Sequence, residues 1–128
     1  MNLLLDTHAL LWWWGEPDKL SARALGLLQD PANRIYVSAA SALEISIKTR
    51  IRKLPNGEEI ITSWDRRILE DAFVEMPIST QHALRAGIMP GDHRDPFDRI
   101  LAAQSLIENI PLLGCDREIS ALGAERVW

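Results

Sequence analysis

Residues 2–15 read NLLLDTHALLWWWG, and this stretch decides the class of fold that we expect. The apolar run Asn2–Leu5 is closed by Asp6, which is typical of a short buried strand. Thr7–Trp14 then has the character of a helix, which ends near Gly15. A strand that passes directly into a helix is the repeating unit of a parallel sheet. The opening of the chain therefore indicates an α/β fold.

Strand and helix patterns alternate along the rest of the chain. The further predicted strands cover residues 35–38, 73–78, 111–115 and 125–128. The further predicted helices cover residues 21–30, 40–54, 58–72, 79–87, 95–109 and 116–122. Strands that alternate with helices predict a parallel sheet with helices on both faces. No linker, repeat or low-complexity tract interrupts the pattern, so we expect one domain over residues 1–128.

The composition is that of an ordinary folded protein, with 47% apolar and 25% charged residues in a chain of 128. No apolar run reaches the ~20 residues of a membrane span, and the N-terminus lacks the features of a signal peptide. The single cysteine, Cys115, excludes an internal disulfide and a zinc cluster built from cysteines. We therefore expect a cytoplasmic protein. Its net charge of −4 disfavours a general nucleic-acid coat but allows a local basic stripe.

Four acidic residues lie at predicted strand ends or in the first turns of predicted helices: Asp6, Glu44, Asp98 and Asp116. Taken singly, each position has a structural explanation. Asp6 and Asp116 can each cap the helix that follows. Glu44 can reach back to the Ser41 amide in a capping box. The run DPFD that begins at Asp95 is a standard helix opening, with proline at the first helical position.

Taken together, the four acids indicate a chemical site. The carboxyl ends of parallel strands lie along one edge of a sheet, so these side chains can converge in one cleft. Carboxylates within about 4–6 Å repel each other unless a cation is present, and oxygen ligands alone favour Mg²⁺ or Mn²⁺ over zinc. A metal ion held in this way activates a bound water and offsets charge on a phosphate. The grouping therefore favours phosphodiester hydrolysis.

Four blocks of sequence, in a fixed order, cover nearly the whole chain: LLLDTHALLWWW, SAASALEISIKTRIRKL, HRDPFDRILAAQS and LLGCDREI. Together they resemble the PIN domain, and more narrowly the VapC-type toxin ribonucleases of toxin–antitoxin pairs. The resemblance implies a three-layer sandwich, in which helices cover a mostly parallel sheet of about five short strands. It also implies an endoribonuclease that depends on Mg²⁺, or on Mn²⁺, and cleaves RNA with a metal-activated water.

The resemblance assigns roles by position. The four acids of the family, expected to be catalytic and to hold the metal, are matched by Asp6, Glu44, Asp98 and Asp116. Asp95 is an additional acid of the DPFDR branch, either a ligand itself or a support for one. Gly114 departs from the family pattern, because many relatives carry Thr or Ser there, with a hydroxyl that helps to hold water or the metal shell. This departure leaves open a non-catalytic module with the same fold that only binds or regulates.

Basic residues follow the second block, in the run KTRIRK at 48–53. The residues are Lys48, Arg50, Arg52 and Lys53. They either form a solvated helix end, which the helix dipole favours, or a track for RNA phosphates beside the acids. Arg94, Arg99 and Arg117 flank the acids, where we expect ion pairs and, for Arg99, contact with RNA. We expect His8 to be a packed helix residue and His82 and His93 to be peripheral.

The three tryptophans of the first block divide into two sets. Trp13 and Trp14 share a helix face with Leu10, so we expect them to pack inside the domain. Trp12 points elsewhere and is the hardest of the three to bury. We predict that it contributes to a partner surface, either in a homodimer or against an antitoxin helix, with larger complexes formed with the antitoxin.

Overall fold

Five parallel strands form one sheet at the centre of the computed structural model, which describes residues 1–128. The strands are β1 (Asn2–Leu5), β2 (Arg34–Ser38), β3 (Val74–Met76), β4 (Leu112–Leu113) and β5 (Arg126–Val127). Their order across the sheet is β3-β2-β1-β4-β5, and every neighbouring pair is parallel. The predicted parallel sheet of five short strands is therefore confirmed.

Eight α-helices connect and cover the strands. They are α1 (Thr7–Gly15), α2 (Ala22–Gln29), α3 (Ala39–Arg50), α4 (Gly57–Thr62), α5 (Trp64–Glu70), α6 (Thr80–Ile88), α7 (Pro96–Glu108) and α8 (Arg117–Ala121). A short 3₁₀ turn, Pro17–Lys19, follows α1. None of these helices is both long enough and apolar enough to cross a membrane.

The central strand β1 divides the core into two layers. Leu3 and Leu5 point into a cluster of 15 buried side chains that is shared with helices α1 to α5. Leu4 points the other way, into a cluster of 12 that is shared with α6, α7 and α8. Because successive side chains of a strand face opposite sides, an unbroken leucine run belongs in a strand covered on both faces. The predicted three-layer arrangement is confirmed.

The strand order places a crevice beside β1. The chain passes from β1 to β2 and β3 on one side, then returns to β4 and β5 on the other side. The helical connections that leave β1 and β4 therefore diverge to opposite faces of the sheet. A crevice opens at the carboxyl ends of two such strands, and ligands of open α/β sheets bind there. Here Asp6 follows β1 and Gly114 follows β4.

Two of the predicted helices differ from expectation, one because it ends early and one because it is divided. The predicted helix 40–54 stops at Arg50, and Arg52 adopts a positive φ of 61°. The predicted helix 58–72 is two helices, because α4 and α5 are separated at Ser63. The Ser63 hydroxyl donates to the Glu59 carbonyl at 2.6 Å and so competes with the backbone hydrogen bonds of a continuous helix.

Candidate active site

Asp6 lies at the crevice, immediately after β1, and its position is fixed by three features. Its backbone N–H donates to the Leu113 carbonyl at 3.0 Å. Its side chain accepts from the Ala9 N–H at 2.7 Å, so Asp6 caps α1 as the sequence predicts. Only 3% of the residue is exposed. A carboxylate held from two sides in this way has little freedom to move.

Gly114 lies directly against the Asp6 carboxylate. A Cβ atom at position 114 would lie 2.0 Å from Asp6 Oδ2 and 2.4 Å from Asp6 Cγ, distances that no real side chain tolerates. The carboxylate of Asp6 therefore occupies the space that a side chain at position 114 would need. The departure from the family pattern at Gly114 is coupled to the orientation of Asp6.

Two further acids reach this edge of the sheet from helix N-termini. Asp98 lies in the first turn of α7, and Asp116 caps α8 by accepting from the Glu118 N–H at 2.9 Å. Asp95 caps α7, with its carboxylate accepting from the Phe97 N–H at 2.9 Å. The caps predicted for Asp95 and Asp116 therefore form.

Asp6, Asp98 and Asp116 act on one another electrostatically. Burial raises the pKa of Asp6 to about 6, the hydrogen bond from Ala9 opposes this shift, and the charges of Asp98 and Asp116 add to it. Burial also raises the pKa of Asp98, and the neighbouring charges of Asp95 and Asp116 add to that rise. The hydrogen bond from His93 opposes the rise at Asp98, so burial and the carboxylate neighbours outweigh it there. We call Asp6, Asp98 and Asp116 the acid group.

Glu44 lies outside the acid group, and the capping box predicted for it is wrong. Ser38 caps α3, so Glu44 lies in the second turn of that helix, where it is buried and forms a salt bridge with Lys48 at 2.8 Å. The Ser41 hydroxyl instead shares a hydrogen bond of 2.9 Å with the Thr7 hydroxyl. This bond ties α3 to the start of α1, next to Asp6.

The acid group is not assembled into a finished metal site. No three Asp, Glu, His or Cys side chains lie close enough together to hold one metal ion. The donors are nevertheless of one chemical kind, carboxylate oxygens, which suit hard divalent cations. Burial is the main reason why the pKa values of Asp6 and Asp98 are raised, and a cation would offset the negative charge of the neighbouring acids, which adds to that rise. The residues present therefore fit such an ion in chemistry.

His93 lies at the site, and the prediction that it is peripheral is wrong. Its Nε2 lies 2.8 Å from Asp98 Oδ2, and its Nδ1 lies 3.0 Å from Glu118 Oε2. The hydrogen bond with Asp98 raises the pKa of His93, and burial partly opposes the rise. In the sequence block HRDPFDR this histidine lies five residues before Asp98. The two residues are separated by a loop, so neither a helical nor a strand period predicts that their side chains meet.

Arg99 holds the loop that carries His93. Its guanidinium donates to the carbonyls of Ala86 at 2.8 Å and His93 at 2.9 Å, and also to that of Met89. The ion pair expected for Arg99 is therefore wrong, and so are those expected for Arg94 and Arg117, because none of the three forms a salt bridge. The RNA contact that the sequence predicted for Arg99 remains untested, although its donors are directed at backbone carbonyls.

The basic run does not surround the acid group. Lys48 is paired with Glu44, whereas Arg50, Arg52 and Lys53 are exposed. Because α3 begins at the carboxyl edge of the sheet and runs away from it, Arg50 lies about 9 Å further along the helix axis than Glu44. These cations form a flank beside the crevice rather than a part of it.

The other two histidines also differ from expectation. His8 is exposed rather than packed, and its ring stacks on Trp12 with ring centres 5.9 Å apart. His82 is buried rather than peripheral. Its Nδ1 accepts from the Ser79 N–H at 3.0 Å in a capping box, and its Nε2 bonds Glu108 at 2.9 Å.

The tryptophans differ from one another less than the sequence suggested. Trp13 and Trp14 both donate their indole N–H to Asp71 Oδ2, at 3.2 and 2.8 Å. Trp12 instead lies against Trp128, with ring centres 5.9 Å apart. All three residues of the run are half-buried and pack against the larger core cluster. The contribution of Trp12 to a partner surface therefore remains a prediction.

The sequence matches a family of known domains. The PIN domain model matches residues 3–125. This chain belongs to the PIN domain family.

Similar proteins extend over almost the same length. The chain is 26% identical to Ribonuclease VapC22 of Mycobacterium tuberculosis over 119 aligned residues. The alignment covers 92% of this chain and 89% of that protein. The structure of VapBC2 from Rickettsia felis bound to a promoter DNA fragment superposes with a TM-score of 0.72, at 16% identity over 99% of this chain and 98% of that chain. VapBC-1 from nontypeable Haemophilus influenzae superposes with a TM-score of 0.69, at 18% identity over 99% of this chain and 97% of that one. At these identities the solved structures show a shared fold.

Proposed function

We propose that this chain is a metal-dependent endoribonuclease that acts as the toxin of a toxin–antitoxin pair. The observation that carries the proposal is the acid group, three carboxylates at the switch point of a PIN fold, where burial and neighbouring negative charge raise the pKa values of Asp6 and Asp98. The similarity to a protein named Ribonuclease VapC22 supports RNA as the substrate class. The similarity to VapBC complexes supports the role as a toxin.

Asp6, Asp98 and Asp116 are the residues that would hold the metal, with Mg²⁺ or Mn²⁺ as the ion that suits their oxygen donors. The ion supplies a water of lowered pKa and offsets negative charge on the phosphate. Asp6 brings a fixed carboxylate, because Ala9 and Gly114 define its orientation. Asp95 supports the group by capping α7, the helix that carries Asp98.

Glu44 and the basic run complete this proposal. Glu44, which the resemblance matches to a catalytic and metal-holding acid, is a further proposed ligand of the ion, and its salt bridge with Lys48 holds the buried carboxylate on α3. Arg50, Arg52 and Lys53 meet RNA phosphates along the flank of the crevice. A protein of net charge −4 needs such a local patch, because phosphate contacts supply most of the affinity for nucleic acid.

A groove beside α1 is where we place the antitoxin segment. It has a volume of about 340 Å³ and lies between α1 and α4, with Leu11, Trp14, Leu54 and Ile60 among its lining residues. An amphipathic helix buries its apolar face in a groove of this kind. Trp12 is on the neighbouring face of α1, where we propose contact with a second copy of the chain in a cytoplasmic homodimer.

The nuclease proposal is tested with Asp98→Asn and Asp6→Asn, which retain size and, for Asp6, the ability to cap a helix. Each variant is expected to lose at least about 100-fold in RNA cleavage, and chelation of divalent cations is expected to abolish cleavage by the parent protein. Asp92→Asn, at an exposed acid of the α6–α7 loop, is the control. Cleavage that survives chelation or Asp98→Asn would contradict the proposal. A parent protein that binds RNA and does not cleave it would favour a module that only binds.

A further inference from the structure

The contacts of the His93 ring form a bridge between two helices. Nε2 forms a hydrogen bond of 2.8 Å with Asp98 of α7, and Nδ1 lies 3.0 Å from Glu118 Oε2 of α8, an ion-pair contact. The side chain of His93 is 16% exposed, whereas that of Glu118 is 69% exposed. The imidazole therefore lies between a carboxylate of the acid group and a carboxylate at the protein surface.

The loop itself does not depend on this ring. Arg99 donates to the backbone carbonyl of His93 and to two further carbonyls, so the main chain of the loop is anchored independently of the imidazole. The ring makes one hydrogen bond, with Asp98, and one ion-pair contact, with Glu118. The contacts of the His93 ring therefore orient carboxylates and do not determine the course of the main chain.

The bridge leaves one oxygen of Asp98 available. Asp98 Oδ2 is bonded to His93, and Asp98 Oδ1 makes no hydrogen bond within the chain. A carboxylate that is held by one oxygen presents the other in a fixed direction, and such supporting groups affect metal affinity strongly. The charge of Asp98 adds to the rise in the pKa of Asp6, so Asp98 belongs electrostatically to the acid group.

We propose that His93 is a positioning residue of the site: its imidazole holds Asp98 Oδ2 so that Oδ1 is presented to a divalent cation, and Glu118 steadies the ring from the surface. The inference rests on the proposed function, since it concerns the same metal site. It assigns to His93 and Glu118 a role in preparing the ligand, and no direct contact with the ion or with RNA.

The test compares two amide substitutions that each retain one half of the bridge. The amide nitrogen of Gln in His93→Gln reaches the place of Nε2 and can still donate to Asp98. The amide nitrogen of Asn in His93→Asn reaches the place of Nδ1 and faces Glu118 instead. Mg²⁺ binding to each protein is measured by calorimetry, and RNA cleavage is measured over a range of Mg²⁺ and RNA concentrations.

His93→Asn and His93→Ala are expected to weaken Mg²⁺ binding by about 10–100-fold and to lower kcat at fixed Mg²⁺, with an unchanged KM for RNA. His93→Gln is expected to recover most of both losses. Glu118→Gln, which weakens only an exposed pair, is expected to cost less than about 5-fold. Asp92→Ala, on the same loop, is expected to match the parent protein, and thermal unfolding confirms that each variant is folded.

The outcomes separate the inference from the proposed function. If the parent protein binds no Mg²⁺ and cleaves no RNA, the proposed function fails, and the inference fails with it. If the parent does both and His93→Asn equals it, or exceeds His93→Gln, the inference is overturned while the proposed function stands. An equal loss of Mg²⁺ affinity and kcat in Asp92→Ala also overturns the inference, because the effect would then come from any change in this loop and not from the His93 ring.

Discussion

At the scale of single residues, the close approach of Asp6 and Gly114 is the tightest constraint in the site. The space that a Cβ would take at position 114 is filled by a carboxylate that is buried and that caps α1. Gly114 therefore contributes to the geometry of the acid group, because it leaves the space that the Asp6 carboxylate occupies.

Gly114→Ala is expected to displace the Asp6 carboxylate and break its bond with the Ala9 N–H. The loss of the cap costs about 1 kcal/mol of unfolding free energy, and RNA cleavage is expected to fall with it. Urea unfolding and a cleavage assay measure the two effects.

The matched control is Gly26→Ala, in α2, where a Cβ meets nothing within 4 Å. That change is expected to stabilise the protein by roughly 0.5–1 kcal/mol, and equal effects at the two glycines would contradict the argument.

The raised pKa of Asp6 predicts a pH dependence of stability in the metal-free protein. Its pKa is about 6 in the folded state against 3.8 for an unperturbed group, so the folded state binds the proton more tightly. The stability that this proton confers is present below about pH 4 and is lost as the pH rises through about 6. At pH 8 the charged form costs about 3 kcal/mol.

Asp6→Asn removes this cost while keeping a capping oxygen. The variant is therefore expected to be more stable than the parent at pH 8, by up to about 3 kcal/mol, and nearly equal to it at pH 4. Urea unfolding in the presence of a chelator at both pH values measures the difference. A stability difference that is the same at pH 4 and pH 8 would show that burial does not shift the pKa of the Asp6 carboxyl.

At the scale of elements, the end of α1 is attached to the end of α5 through one carboxylate. Asp71 follows α5 and accepts the indole N–H groups of both Trp13 and Trp14. Trp14 also meets Trp64 edge-on, with ring centres 5.3 Å apart, and lies beneath the Arg67 guanidinium at 5.4 Å. The adjacent tryptophans are thus accommodated by one acceptor that serves two donors.

Asp71→Ala is expected to lower the unfolding free energy by about 1–3 kcal/mol, because it leaves two half-buried indole donors without their acceptor. Tryptophan fluorescence is expected to change with it, while RNA cleavage stays at the parent level. The neighbouring Glu70→Ala is the control, since its salt bridge with Arg66 has both side chains 60% exposed and contributes little. Equal destabilisation by the two substitutions would argue against the shared acceptor.

The elements that could be predicted from the sequence are those whose signal is local. Leu3, Leu4 and Leu5 can satisfy both faces only inside a covered parallel sheet, and the caps at Asp6, Asp95 and Asp116 depend on their immediate neighbours. The split between α4 and α5 escaped prediction because it depends on whether the Ser63 hydroxyl turns back to its own helix.

The parts of the site that could not be predicted depend on contacts between distant segments. The contact of Gly114 with Asp6 joins residues that are far apart in the chain, and no pattern within either segment encodes it. His93 lies on a loop without periodicity, so its contacts with Asp98 and Glu118 become visible only in three dimensions. Glu44 stays a predicted site residue, and what the sequence did not predict is its salt bridge with Lys48, one turn further along α3.

At the scale of the whole molecule, an excess of negative charge has to be reconciled with an anionic substrate. Substitution of Arg50, Arg52 and Lys53 by Gln is expected to weaken RNA binding and to reduce its dependence on salt. The slope of log K against log salt is expected to fall by about 2, at roughly 0.7 for each phosphate of a single strand that is no longer neutralised. Binding is measured in a chelator, so that cleavage does not interfere.

A matched triple substitution separates local binding from net charge. Lys19, Arg23 and Arg34 are exposed cations away from the crevice, and their replacement by Gln changes the net charge by the same amount. This control is expected to leave the salt slope unchanged. A fall of the same size in both triple variants would assign the effect to the overall field of the protein and remove the basic run from the RNA interface.

The position of β1 at the centre of the sheet has a consequence for protein synthesis. Leu4 and Leu5 pair with β2, which follows soon after in the chain, but also with Leu112 and Leu113 of β4. Because domains form as the chain emerges from the ribosome, N-terminal part first, the acid group stays incomplete until the segment from β4 to α8 has left the exit tunnel. A nascent chain that stalls before that point carries Asp6 and Asp98 but lacks the strand beside which Asp6 is aligned. The order of translation thus delays the assembly of the cleft until β4 and α8 have been made, long after β1.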